Sequence, residues 1–197
     1  MKFSKMIFVL SIAASAIFIC TMGSSYAYYT ATSTDINITT GTIDNGISVI
    51  FADNNYVNVN TGVPLDDDQV MENAKANSFT VIPDASKLNG YDAYVNVSLT
   101  NVVIDDALKV TDFKYSLICS NNSGYQTTLG SGDGTAFTTG TDLYIGGLNT
   151  PDGTLNISNS YQCNFRVWIA NDASASQNEL MDKKFSALLK VNTIMRK

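Results

Sequence analysis

Tyr28-Tyr29-Thr30-Ala31-Thr32-Ser33-Thr34-Asp35-Ile36-Asn37-Ile38-Thr39-Thr40 is the stretch from which the fold class is read first. It contains neither glycine nor proline. Its even positions, Tyr28, Thr30, Thr32, Thr34, Ile36, Ile38 and Thr40, are all aromatic or β-branched, the types that fit a pleated surface. Its odd positions are mostly small or polar, so the repeat is two residues and the reading is a strand. Gly41-Thr42-Ile43-Asp44-Asn45-Gly46 punctuates it, and a second apolar run, from Ile47 to Phe51, follows.

The same pattern recurs further along. Residues 77–82 form a short strand stopped by Pro83. Tyr91, Ala93, Val95, Val97 and Leu99 share one face of another, and Phe113, Tyr115, Leu117 and Cys119 share a face of a third. The best strand covers residues 161–169, with Tyr161, Cys163, Phe165, Val167 and Ile169 on one side, and residues 185–194 close the chain with a last strand. The Gly-, Ser- and Thr-rich residues 121–141 read as loop with a weak strand at Ala136-Phe137. Residues 143–145 and 155–157 flank a turn at Asn149-Thr150-Pro151-Asp152-Gly153 and resemble a hairpin. Two short helices are expected, at residues 66–75, where acids crowd the first turn, and at 174–182. About nine strands at this spacing predict an all-β, jelly-roll or Ig-like antiparallel sandwich of two sheets.

The N-terminus has the parts of a cleaved secretory leader. Lys2 and Lys5 supply the charge, residues 6–20 the apolar stretch, and Ser25-Tyr26-Ala27 the small-x-small site, so the mature chain is expected to start at Tyr28. The apolar run of about 15 residues is short of the ~20 that span a bilayer. Three segments are therefore expected: residues 1–27 as leader, 28–40 as an N-terminal strand, and 41–197 as the sandwich. The chain of 197 residues has a net charge of −6; without Lys2 and Lys5 it has 10 basic and 18 acidic residues, a net charge of −8. That balance argues against nucleic acid and against docking on anionic lipid, and no stable membrane insertion is expected after cleavage. Cys119 and Cys163 remain after cleavage; in an exported protein they form either one disulfide or two buried thiols.

The chain has no histidine. A Ser-His-Asp site, a Cys-His site and an H-E-x-x-H zinc site are thereby excluded. Asp66-Asp67-Asp68 and Asp105-Asp106 offer hard oxygen ligands, but without the spacing of a calcium loop they read as solvated carboxylates. Gly130-Ser131-Gly132-Asp133-Gly134 lacks the lysine and helix of a phosphate loop and reads as a turn. No catalytic residue, metal or cofactor is expected.

Gly23-Ser24-Ser25-Tyr26-Ala27-Tyr28-Tyr29-Thr30, followed by Gly41-Thr42-Ile43-Asp44, resembles the start of the TasA/camelysin family of secreted bacterial proteins. Tyr26-Ala27 matches the aromatic-Ala pair at the cleavage site, and Gly41-Thr42-Ile43-Asp44 the second motif, with Ile43 where leucine is usual. Thr30-Ala31 stands where many members have an Asp. Val167-Trp168-Ile169-Ala170 and the segment from Asn178 to Phe185 look like the family's closing strand, loop and strand. The resemblance implies a jelly-roll-like sandwich, release by a dedicated SipW-type signal peptidase, and matrix fibres in which the first strand of one subunit completes the sheet of the next. The metallopeptidase activity ascribed to camelysin-like members is not carried over, because this chain has no histidine.

Three functions are weighed on these grounds. The lead is a secreted fibre subunit of the cell surface or biofilm matrix, a head-to-tail homopolymer in which Tyr28, Thr30, Thr32, Thr34, Ile36 and Ile38 form the donor face. The second is a monomeric surface adhesin or carbohydrate-binding sandwich using Trp168 and loop tyrosines. The third is a protease.

Overall fold

The computed structural model describes residues 41–43, 46–60, 63–171 and 177–196. The cleavage residues Ser25, Ala27 and Tyr28 and the donor positions up to Ile38 lie outside the described residues. Ten strands follow in chain order: β1 (Gly41–Ile43), β2 (Ile47–Phe51), β3 (Tyr56–Asn60), β4 (Ala76–Pro83), β5 (Asp92–Ile104), β6 (Phe113–Asn121), β7 (Gln126–Asp133), β8 (Leu143–Asn149), β9 (Tyr161–Ile169) and β10 (Lys184–Arg196). Two one-turn helices, α1 (Val70–Asn73) and α2 (Ala85–Leu88), interrupt them. The strands form two antiparallel sheets, a six-stranded one in the order β1-β2-β4-β9-β6-β7 and a four-stranded one in the order β3-β10-β5-β8. This is the expected all-β sandwich of two sheets.

Alternation builds the core. Along β5, Ala93, Val95, Val97 and Leu99 are buried while their neighbours are not. On β6 and β9, Phe113, Tyr115, Leu117, Cys119, Tyr161, Cys163, Phe165, Val167 and Ile169 all turn inward. Phe185, Ala187 and Leu189 of β10 face them from the other sheet. Phe137 joins this layer from the loop after β7, its ring 4.8 Å from that of Phe185 and 5.1 Å from that of Tyr115. Phe137 is buried but lies in no strand, so the expected strand at Ala136-Phe137 gives way to an aromatic plug.

Four further expectations are corrected. Residues 126–133, read as loop, form β7; they pair with β6 at the edge of the larger sheet. Residues 155–157 form no strand, so there is no hairpin partner for β8. Leu155 is instead a buried loop residue, and the turn is held by Asp152, which accepts from the Thr154 amide at 2.8 Å, and by Asn149, which accepts from the Asp152 amide at 2.9 Å. Residues 66–75 shrink to the single turn of α1, because Val70 is the only residue of that turn that finds the core. Of the second expected helix, the described part is one 3-10 turn, Asn178–Leu180.

β5 runs past the expected end at Leu99. Asn101 has φ 53°, a conformation that asparagine tolerates, and the pairing with β10 shifts between Ser186 and Leu188. This bulge inserts one residue and reverses the phase, so Val102 and Ile104 become the buried positions.

On one flank the two sheets meet through their main chains. A Cβ added to Gly130 on β7 would overlap the carbonyl oxygen of Ile145 on β8, and one added to Gly146 would overlap that of Leu129. Only glycine allows that approach. Gly146→Ala is expected to lower stability by about 3 kcal/mol or more, since the obstacle is backbone rather than a movable side chain. Urea denaturation of this variant beside Ser131→Ala, at an exposed position of β7, is the check.

Candidate functional site

With β7 and β8 abutting, the opposite flank of the sandwich carries the outer side of β3. The hydrogen-bonding phase of this strand follows from one contact: the Leu189 amide donates to the Asn55 carbonyl at 2.7 Å. Residues opposite one another in an antiparallel pair alternate between bonded and non-bonded. Val57 opposite Ala187 and Val59 opposite Phe185 are therefore bonded pairs, and the amides and carbonyls of Tyr56, Asn58 and Asn60 point away from β10.

Side chains occupy one end of that free edge. Asn54 Oδ1 accepts from the Tyr56 amide at 2.9 Å, and Asn77 Nδ2 donates to the Tyr56 carbonyl at 3.0 Å. The amide and carbonyl of Asn58 have no such caps among the described residues. Val59, on the same strand, is only partly covered where it packs on the core; so is Phe51 of β2, whose ring lies 5.6 Å from that of the fully buried Phe79. The edge thus offers backbone donors and acceptors for a strand, flanked by apolar side chains that a strand would cover. β3 was not among the expected strands, although Tyr56-Val57-Asn58-Val59-Asn60 carries the period-two signal.

Cys119 and Cys163 are disulfide-bonded. They sit opposite one another on β6 and β9, with Cα atoms 4.0 Å apart and both side chains fully buried. The bridge therefore joins neighbouring strands at the centre of one sheet rather than the two sheets. Trp168 is half-buried on the outer face of β9, and its Nε1 donates to Asp67 Oδ1 at 3.4 Å. Lys114 Nζ reaches both oxygens of Asp67, at 3.0 and 3.2 Å.

The two acidic clusters are held by protein partners. Asp66 accepts from Asn171 Nδ2 at 2.8 Å, Asp105 from the Lys184 amide at 2.9 Å, and Asp106 from Lys109 Nζ at 2.7 Å. No group of three potential ligands gathers to hold a metal ion among the described residues. An open depression of about 480 Å³ lies between the loop after α2 and the loop after β8, lined by Leu88, Tyr91, Asp92 and Asn156 among others. Among the described residues, no helix is long and apolar enough to cross a membrane. Comparison with protein-family models, with curated proteins and with solved structures returned no match.

The hydrogen bond and charge of Lys114 hold the Asp67 carboxyl below its ordinary value, with a smaller contribution from Trp168. A carboxyl lowered in the folded state contributes stability above its unfolded pKa and loses it as pH falls through the folded pKa. Trp168 is the only tryptophan, so its fluorescence reports this titration directly. The expected midpoint lies below the ordinary carboxylate range in the wild type and moves up in Lys114→Ala; identical midpoints would contradict the assignment.

Proposed function

We propose that this chain is a secreted structural subunit of extracellular fibres at the cell surface or in a biofilm matrix. Residues 28–40 of one copy add as a strand to the free edge of β3 on the next. The observation that carries this reading is the outward-facing Asn58, uncapped among the described residues, next to the partly covered Val59 on the edge strand β3. An unpaired edge is a template for another chain, and strand addition is an established mode of recognition. The period-two pattern of residues 28–40 supplies the matching element. Its Ile36 and Ile38 are the main anchors, each contributing roughly 1.5–3 kcal/mol on full burial. A head-to-tail contact of this kind does not close on itself and generates a filament. The resemblance to the TasA/camelysin family points the same way, as does the leader that would export the chain and be removed by a dedicated signal peptidase. On this reading the protein has no catalytic role.

Deleting residues 28–38 is expected to leave a folded monomer that forms no fibres by electron microscopy. Unfolding of the truncated chain would show that this stretch is an ordinary first strand of its own domain, and fibres from it would remove the donor role altogether.

A second variant tests the acceptor. Proline is tolerated at an edge where its missing N–H would face solvent, so Asn58→Pro should keep the circular dichroism spectrum and change stability by no more than about 1 kcal/mol. It should abolish polymerisation, because the amide offered to the incoming strand is gone. Normal fibres from Asn58→Pro would sink the assignment of β3 as the acceptor.

A further inference from the structure

Arg166 stands on the outer face of β9 and is 8% exposed. Its Nη2 donates to the Met71 carbonyl at 3.4 Å, a long bond, while its Nε and Nη1 are buried with no hydrogen-bond partner. A guanidinium stays charged in a protein, and a buried charge is ordinarily paired. Among the described residues no carboxylate pairs with it, although acids outnumber bases in the chain.

The surroundings already receive a carboxylate. Trp168 lies two residues along β9, and Lys114 is the cross-strand partner of Trp168. Asp67 is seated on both of them. This patch thus carries two cations, Lys114 and Arg166, and one engaged anion, with the Nε and Nη1 of the second cation unpartnered. Ser116, the cross-strand partner of Arg166, is buried beside it. Residues 65–75 cover the patch, and few contacts fasten them. Val70 is the buried residue of α1, Asp66 and Asp67 make the side-chain contacts given above, and Leu65 exchanges backbone bonds of 2.8 and 2.9 Å with Ile169 and Asn171.

We infer that Arg166 is the floor of a carboxylate-binding site, closed over by residues 65–75, in which its Nε–H and the Nη2–H on the same edge of the guanidinium take the two oxygens of an incoming carboxylate. Planar bidentate pairing is the geometry a guanidinium supplies and a lysine does not. The carboxylate comes either from a small organic acid or from an acidic side chain of a second copy. The site does not depend on strand addition, since it lies on a sheet face and not on an edge.

The test uses the purified protein and acetate as probe, with chloride as control at constant ionic strength. The Arg166 Nε–H signal in a ¹H–¹⁵N spectrum, assigned by its loss in Arg166→Met, should shift with acetate to saturation. Tm should rise over the chloride control by about 4 °C at ten times the dissociation constant. Arg166→Met should fold, because a buried charge replaced by an apolar side chain of similar volume is often neutral or stabilising, and its Tm should ignore acetate. A shift that appears in chloride alone as protein concentration rises identifies a second copy as the source. A shift that needs acetate identifies a free acid. An Nε–H signal that moves in neither series, or an equal acetate response in Arg166→Met, overturns the inference.

Discussion

The close approach of β7 to β8 is the constraint on which the rest of the sandwich depends. Two sheets normally stand about 10 Å apart with side chains between them. Here Gly130 and Gly146 let the main chains meet along one flank, so that flank is sealed without side chains and its two edges shield one another. Phe137, just downstream of β7, is set into the core among Phe113, Tyr115 and Phe185. The seal makes the sandwich asymmetric: strand addition is blocked where the sheets touch, and it is left to the flank that carries β3.

The disulfide complements this arrangement. Cys119 and Cys163 join β6 to β9 in the middle of the larger sheet, and β6 is also the strand on which β7 hangs. The bridge closes a loop with a sequence separation of 44, which includes β7 and β8. Cross-linking over that distance removes several kcal/mol of disorder from the unfolded chain in the entropic account. Both strands of the sealed flank are thus gathered inside one covalent loop, while β3 lies outside it.

Strands with one buried face were legible, because burial on one side imposes a period of two; β6, β9 and the first part of β5 follow directly from it. Legibility failed where a residue answers to a neighbour rather than to its own strand. β7 carries Gly130 because β8 leaves no room for a Cβ there, and glycines in sequence read as loop. Asn101 reverses the phase of β5 through a positive φ that no hydrophobic pattern announces. Leu155 and Ile157 mimic a strand, but Leu155 is plugged into the core from a loop whose Asn156 amide donates to the Tyr161 hydroxyl at 2.6 Å. The outer side of β3 was open to inspection as an alternating stretch. Its free phase was not, since that depends on the register with β10. Arg166 was invisible for a similar reason: its lack of a partner is a property of what residues 65–75 place above it.

Charge then says which surfaces of this protein can meet. Copies with a net charge of −6 or more repel, and the repulsion is screened only beyond about 8–10 Å at physiological salt. Surfaces that come into contact must therefore be uncharged or locally compensated. β3 is uncharged along its whole length, Tyr56-Val57-Asn58-Val59-Asn60, and residues 28–40 carry one charge, on Asp35. Exposed edges are usually guarded by lysine, by proline or by an inward-pointing charge. The edge of β3 has none of these, and among the described residues its protection is confined to the two asparagines that cap Tyr56. Those caps favour one register, because an incoming strand meets its first free donor and acceptor at Asn58. Hydrogen bonds contribute only about 1 kcal/mol each after exchange with water, so in such a pairing they set direction and register. The energy comes from apolar side chains laid over Phe51 and Val59, a division of labour that suits an acidic subunit whose long-range electrostatics oppose association.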